Sequence, residues 1–234
     1  MIDDIYKNAR LGINNIKLRA LLSEQEKQNL SPVMRSLMPP VEIGSITLVD
    51  QIVLLSLAKL ISAERVVEIG TYLGYTTALF AMNTNAKIFS IDLPKTAQDD
   101  ETFKEELVLS DGNYNDEFLR SKQNKEGEIY LNFLSDDELE NISLIKADST
   151  SINFSKEFEF ADLVFIDGGH ERSIVERDTL NARSIVKNGV IVWHDFGSTI
   201  HNDVSSFLLQ AKDRKIFHVL GSLCAFEFMS NDDE

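Results

Sequence analysis

Apolar residues along this chain fall into two patterns: short β-branched runs, and longer stretches with a helical period. Runs at residues 65–69, 87–91, 142–147, 162–166, 189–193, 215–220 and 223–229 predict strands. Helical spacing covers residues 4–23, 47–62, 75–82, 171–186 and roughly 202–212. The first of these rests on Ile5, Leu11, Ile16, Leu18 and Leu22, with an imperfect period. The second has a wide apolar side made by Val49, Ile52, Val53, Leu55, Leu57 and Leu60. Asn188-Gly189 reads as the stop signal of the helix before it. Strands and helices in alternation imply an α/β fold, with a mainly parallel sheet and helices on both faces.

Two stretches break the pattern. Residues 31–44 hold Pro32, Pro39 and Pro40 and read as an extended connection. Residues 93–140 are rich in Asp, Glu, Lys and Asn and far exceed an ordinary connection, with one short helix expected at 102–109. Such an insertion at a ligand-binding edge is a lid, a substrate wall or a partly disordered loop. The expected organisation is a helical extension over residues 1–44 and one domain over 45–234 that carries this insertion. The extension either packs on its own domain, caps the site or pairs with a second subunit in a homodimer. The tail at 231–234 is expected to fray.

Candidate chemistry begins where the 65–69 strand meets Gly70-Thr71-Tyr72-Leu73-Gly74 and then a helix. Gly70 permits a sharp turn and a close ligand approach, and free N–H groups at the helix start suit an anion. A dinucleotide fingerprint needs a glycine where Thr71 stands. Glu68, two residues before Gly70, makes Glu-x-Gly-x-x-x-Gly, which resembles motif I of class I S-adenosylmethionine (SAM) methyltransferases. Asp92 ends the next strand about 20 residues after the turn, placed to accept both hydroxyls of a ribose. A parallel sheet also brings Asp148, Asp167, His170, His194 and Asp195 to the same edge.

Composition narrows the partners. The chain has 234 residues and a formal net charge of −15, which argues against nucleic acid and anionic membrane surfaces. A single cysteine, Cys224, excludes an intrachain disulfide, fits a reducing cytoplasm, and sits in an apolar run as a core residue would. The first residues lack the basic and apolar regions of a signal peptide, and no apolar run is long enough to span a bilayer.

Asp148-Ser149, then residues 162–170 ending Asp167-Gly168-Gly169-His170, then 189–196 with Trp193-His194-Asp195, resemble a subgroup of class I SAM-dependent methyltransferases near macrolide-sugar and cephalosporin-pathway enzymes. The likeness covers roughly residues 47–229, and departs from the group at Lys187-Asn188-Gly189 and in the long acidic insertion. It implies a Rossmann-like, seven-stranded sheet with a reversed last strand, and methyl transfer from SAM to a small-molecule acceptor. By motif position it assigns Glu68, Gly70, Thr71, Tyr72 and Gly74 to the methionine end, Asp92 to ribose, and Asp148 with Ser149 to adenine. Asp167 borders the cofactor and is also assigned, with His170 and His194, to catalysis. Catechol O-methyltransferase-like relatives imply Mg²⁺ on Asp167 and Asp195, with His194 as a further ligand. A hydroxyl acceptor needs a base, and His170 and His194 both stand where one is required. Each has a plainer role open to it, His170 as a helix cap and His194 as a hydrogen-bond partner of its neighbours. His201, His218 and Asp178 read as structural or surface residues. Two other functions share this architecture: a nucleotide-dependent oxidoreductase, and a SAM-binding protein without transferase activity.

Overall fold

The computed structural model describes residues 3–38, 43–96 and 102–230. The expected fraying tail, and Pro39 and Pro40 of the expected connection, lie outside the described residues.

Eight strands form one sheet in the order β1-β7-β8-β6-β5-β2-β3-β4. They are β1 (Gly12–Lys17), β2 (Arg65–Ile69), β3 (Lys87–Asp92), β4 (Ile142–Lys146), β5 (Leu163–Ile166), β6 (Gly189–Trp193), β7 (Lys215–Leu220) and β8 (Ala225–Met229). Neighbours run parallel except β8, which is antiparallel to both β6 and β7. The mainly parallel sheet with a reversed last strand is therefore present, with one strand more than the resemblance implied.

The additional strand is β1, where the apolar spacing predicted helix. Only residues 3–7 (α1, Asp3–Lys7) and Leu18–Lys27 (α2) are helical there. Leu11 and Ile16 belong to the expected helical spacing, but Gly12, Asn14 and Asn15 between them are poor helix formers. Asn14 uses its amide against the backbone, donating to the carbonyls of Arg10 at 2.7 Å and Gly12 at 3.0 Å. Strand β1 then pairs in parallel with β7, from Gly12 opposite Lys215 to Lys17 opposite Leu220.

Each face of the sheet buries its own core. One holds Val66, Ile88, Phe165, Val192 and Phe217 beneath α2, α3 (Leu48–Leu60) and α4 (Tyr75–Asn83). The other holds Val67, Ile69, Val164, Ile166, Ile191 and Trp193, with Phe154, Val175 and Leu208 packed against them. The remaining helices are α5 (Glu105–Val108), α6 (Gly112–Glu126), α7 (Asp136–Leu139), α8 (Phe154–Glu157), α9 (Arg172–Ile185) and α10 (Asn202–Leu208). Helix α9 is pinned to β6 by the Trp193 indole, which donates to Thr179 Oγ1 at 2.8 Å. Cys224 is fully buried, as its apolar run predicted.

Because β2 is flanked by β3 on one side and β5 on the other, the strand order reverses at β2 and β5. In open α/β sheets the crevice outside the carboxyl ends at such a reversal takes the ligand. The 93–140 insertion, expected to be loose, is largely helical around α6, and its expected short helix is present at Glu105–Val108.

Gly189 is not the helix stop that Asn188-Gly189 suggested. Helix α9 ends at Ile185, and Gly189 is the first residue of β6. Its need for glycine is steric: a Cβ there would lie 2.0 Å from the Asp162 carbonyl oxygen. Gly189→Ala should cost about 2 kcal/mol or more of stability in urea unfolding. A loss below about 0.5 kcal/mol would mean that the Asp162 carbonyl yields freely.

Candidate active site

The turn after β2 is shaped by three left-handed residues, Gly70 (φ 102°), Tyr72 (φ 48°) and Gly74 (φ 82°). A Cβ on Gly70 would meet the Asp167 carbonyl oxygen at 2.0 Å, so the turn and the tip of β5 touch directly. Gly74 precedes α4 without a side-chain cap, leaving the helix start to the backbone N–H groups alone. Beneath the turn, Glu68 is fully buried. Its Oε2 accepts from Ser90 Oγ at 2.5 Å and from Thr77 Oγ1, while Thr71 Oγ1 lies 2.7 Å from Ser90 Oγ. Burial pushes the Glu68 carboxyl up to about 8, so it is neutral under the turn at neutral pH.

Asp92 lies beside this turn. The Tyr72 N–H donates to its Oδ2 and the Leu93 N–H to its Oδ1, each at 2.8 Å. Helix α6 supplies further partners: Gln123 Nε2 donates to Oδ2, and an Arg120 guanidinium nitrogen stands 3.9 Å from Oδ1. Burial raises the Asp92 carboxyl, against these donors and the nearby Lys146 and Arg120 charges.

On the other side of the reversal the acids and histidines converge. His170 Nδ1 is 2.8 Å from Asp116 Oδ1 of α6, and its Nε2 is 3.0 Å from Asp195 Oδ2 and 3.9 Å from Asp167 Oδ1. The His201 ring stacks on it, with centroids 3.6 Å apart. His194 Nδ1 lies 3.2 Å from both Asp167 Oδ1 and Asp195 Oδ2, and its Nε2 is 3.5 Å from Asp50 Oδ2 of α3. Burial works to lower both His170 and His194, but the carboxylates around them outweigh it and hold both well above the usual imidazole range. Asp195, although buried, is drawn well below the carboxylate range by those two rings. Its backbone is left-handed at φ 60°, strain of the kind that concentrates at functional sites. His201 is lowered by burial and by the His170 charge.

The tip of β4 is organised differently. Asp148 is exposed and folded onto its own turn, accepting from Thr150 N at 2.8 Å and Thr150 Oγ1 at 2.7 Å. Ser149 is held through its carbonyl, which accepts from Asn181 of α9 at 3.0 Å. Asp178, on the same helix, is fully buried and pushed up to about 6 by that burial.

Thus Glu68, Gly70, Thr71, Tyr72, Gly74 and Asp92 gather around one turn, and Asp167, His170, His194 and Asp195 around the next. Asp148 and Ser149 stand apart on β4. Five residues of the cluster were not singled out as site residues in the sequence. Asp50 lies near the start of α3, where one of its oxygens completes a capping box with Thr47 and the other accepts from Leu223 N at 2.8 Å. Asp116, Arg120 and Gln123 lie in the insertion, with no apolar period to place them. His201, expected in a structural or surface role, is a buried partner of His170.

Residues 67–196 match the family described as Methyltransferase domain. No curated protein sequence matches the chain. Among solved structures, the O-methyltransferase NovP aligns with a TM-score of 0.53 at 10% identity, covering 75% of this chain and 76% of its own. Cofactor-bound Rv0187 from MTB aligns at 0.51 and 16% identity, covering 91% and 88%. Apo CalS11, a TDP-rhamnose 3'-O-methyltransferase of calicheamicin biosynthesis, aligns at 0.50 and 11% identity, covering 89% and 92%. At these identities the likeness is one of fold.

Because the Glu68 pKa is raised in the folded state, its contribution to stability is complete below the unfolded value near 4.5. It is lost as pH climbs through about 8. Glu68→Gln is uncharged throughout, so between about pH 5 and pH 9 the wild-type melting temperature should fall relative to the variant. Parallel profiles would mean that the carboxyl is already ionised in the fold.

Proposed function

The chain belongs to the Methyltransferase domain family, and on that footing we propose that it moves the methyl group of SAM onto a hydroxyl of a small-molecule acceptor. The observation that carries this is the meeting of two half-sites at the reversal of strand order. The Gly70 turn with Asp92 is on one side, and the Asp167, His170, Asp195 cluster is on the other. In this assignment the Gly70–Gly74 turn and the start of α4 face the methionine carboxylate. Thr71, Tyr72 and the neutral Glu68 shape and support that turn. Asp92 takes the ribose, and Asp148 and Ser149 border the adenine from β4. Asp167 adjoins both the turn and the acceptor.

Methyl transfer is an in-line displacement: the acceptor oxygen forms a bond to the methyl carbon as the carbon–sulfur bond breaks, and the hydroxyl proton must leave. His170 is assigned that proton, at Nε2, in its neutral form: this nitrogen is buried without an aligned hydrogen bond and faces the strand-tip acids. Because those acids favour the charged ring, turnover should rise as pH climbs and the ring loses its proton. His194, bracketed by Asp50, Asp167 and Asp195, is assigned to holding Asp167 and Asp195 in place.

The same cluster fits a divalent cation. Ligand atoms of Asp167, His170 and Asp195 lie within 4.8 Å of one another, and carboxylate oxygens suit Mg²⁺. Asp167 and Asp195 would hold the ion, with His170 or His194 beside them, and it would supply Lewis-acid polarisation of the acceptor hydroxyl. Among the described residues no helix is long and apolar enough to cross a membrane. A reducing cytoplasm as the setting, and a homodimer as the assembly, are parts of the proposal that rest on the sequence.

The test is calorimetric titration with SAM, with NAD as the control, with and without Mg²⁺, followed by methyl transfer to a panel of hydroxylated small molecules. Micromolar SAM binding and no NAD binding are expected. His170→Ala should cut turnover by about 100-fold or more while leaving SAM affinity within about twofold. A protein that binds no SAM, or a His170→Ala variant as active as wild type, would overturn the corresponding assignment.

A further inference from the structure

Helix α6 turns a polar face to the strand tips. Asp116, Arg120 and Gln123 stand at positions i, i+4 and i+7 and so share one side of the helix. Asp116 meets His170 at one end of that face, and Gln123 meets Asp92 at the other. The contact at Gln123 is buried, with only 3% of the residue exposed. Its amide nitrogen donates to Asp92 Oδ2, and its amide oxygen accepts from Arg120 at 3.0 Å. Arg120 in turn donates to the carbonyls of Leu93, at 3.2 Å, and Pro94, which follow Asp92 in the chain. The helix is thereby fastened to both sides of the Asp92 carboxylate.

A carboxylate offers about two acceptor sites on each oxygen. On Asp92, Oδ2 already receives the Tyr72 N–H and the Gln123 amide, which fills it. Oδ1 receives the Leu93 N–H and keeps one site. A vicinal diol such as a ribose engages a carboxylate with one hydroxyl on each oxygen, so it needs a free site on both. With Gln123 seated, only one oxygen is available.

We propose that Gln123 occupies the place of a ribose hydroxyl, so that this position of α6 excludes the cofactor, and SAM binds only after Gln123 leaves Asp92. This rests on the assignment of ribose to Asp92. Gln123 then lowers cofactor affinity by the population of the seated state. One net hydrogen bond of ordinary strength makes that factor roughly fivefold. The penalty falls on association, because release of Gln123 precedes entry of the ribose.

The test is binding of S-adenosylhomocysteine, which carries the same ribose and has no methyl group to transfer, by calorimetry and stopped-flow fluorescence. Gln123→Met keeps the length and bulk of the side chain and removes the donor. It should bind about fivefold more tightly, with the gain in the association rate. Gln123→Ala should shift in the same direction, and thermal melts confirm that both variants are folded. Asp92→Asn reports on the underlying assignment and should lose binding by about tenfold or more. If Asp92→Asn weakens binding and both Gln123 variants bind as wild type or more weakly, Gln123 is not a competitor and the proposal falls alone. If Asp92→Asn binds as wild type, the ribose assignment falls and the proposal falls with it.

Discussion

The rest of the site depends on one close approach. The carbonyl oxygen of Asp167 occupies the space that a side chain on residue 70 would need, 2.0 Å from where its Cβ would lie. Only glycine lets the end of β2 and the end of β5 come this near, and the strand order reverses between them. This contact sets the distance between the half that carries Asp92 and the half that carries Asp167, His170 and Asp195. Register does the rest: Ile69 lies opposite Ile91 on one side and Ile166 on the other, so the residues that follow all emerge at one level.

Charge is the second constraint. Asp50, Asp116, Asp167 and Asp195 surround His170 and His194 within a few ångströms, in a largely buried volume. Burying ionised groups is costly unless each finds a partner, and here every ring nitrogen of the two histidines faces a carboxylate. The acids still outnumber the rings, and such a surplus suits a cation or a positively charged reactant. SAM, a sulfonium, is one. Glu68 shows the opposite solution. Lacking a cation, it stays neutral between Ser90 and Thr77 and supports the turn through hydrogen bonds.

The sheet core and the tip residues were legible in sequence because each obeys a local rule. Strands β2 to β8 are short apolar runs, and Gly70, Asp92, Asp167 and the His194-Asp195 pair follow such runs directly. What escaped notice is governed by partners far away in the chain. Ile16 belongs to an imperfect helical spacing, but β7, some 200 residues later, claims it for the sheet. Helix α6 has no apolar stripe, since the face it turns to the site is Asp116, Arg120 and Gln123. A search for hydrophobic period passes over it. Gly189 resembled a helix stop because glycine serves that role often, whereas here the carbonyl of Asp162 requires it. Asp50 stands among the apolar positions of α3 with no local signal of a site, and its position facing His194 follows from the packing of α3 on the sheet.

The cofactor crevice, the acid and histidine cluster, and α6 across both make one account: a methyltransferase whose cofactor seat is held shut by its own insertion helix. A crystal structure of the chain with S-adenosylhomocysteine tests this most directly. The account predicts the ribose hydroxyls divided between the two oxygens of Asp92, the homocysteine carboxylate at the start of α4, and the Gln123 amide withdrawn from Asp92. A ligand bound elsewhere, or a ribose on Asp92 with Gln123 still donating to Oδ2, would contradict it.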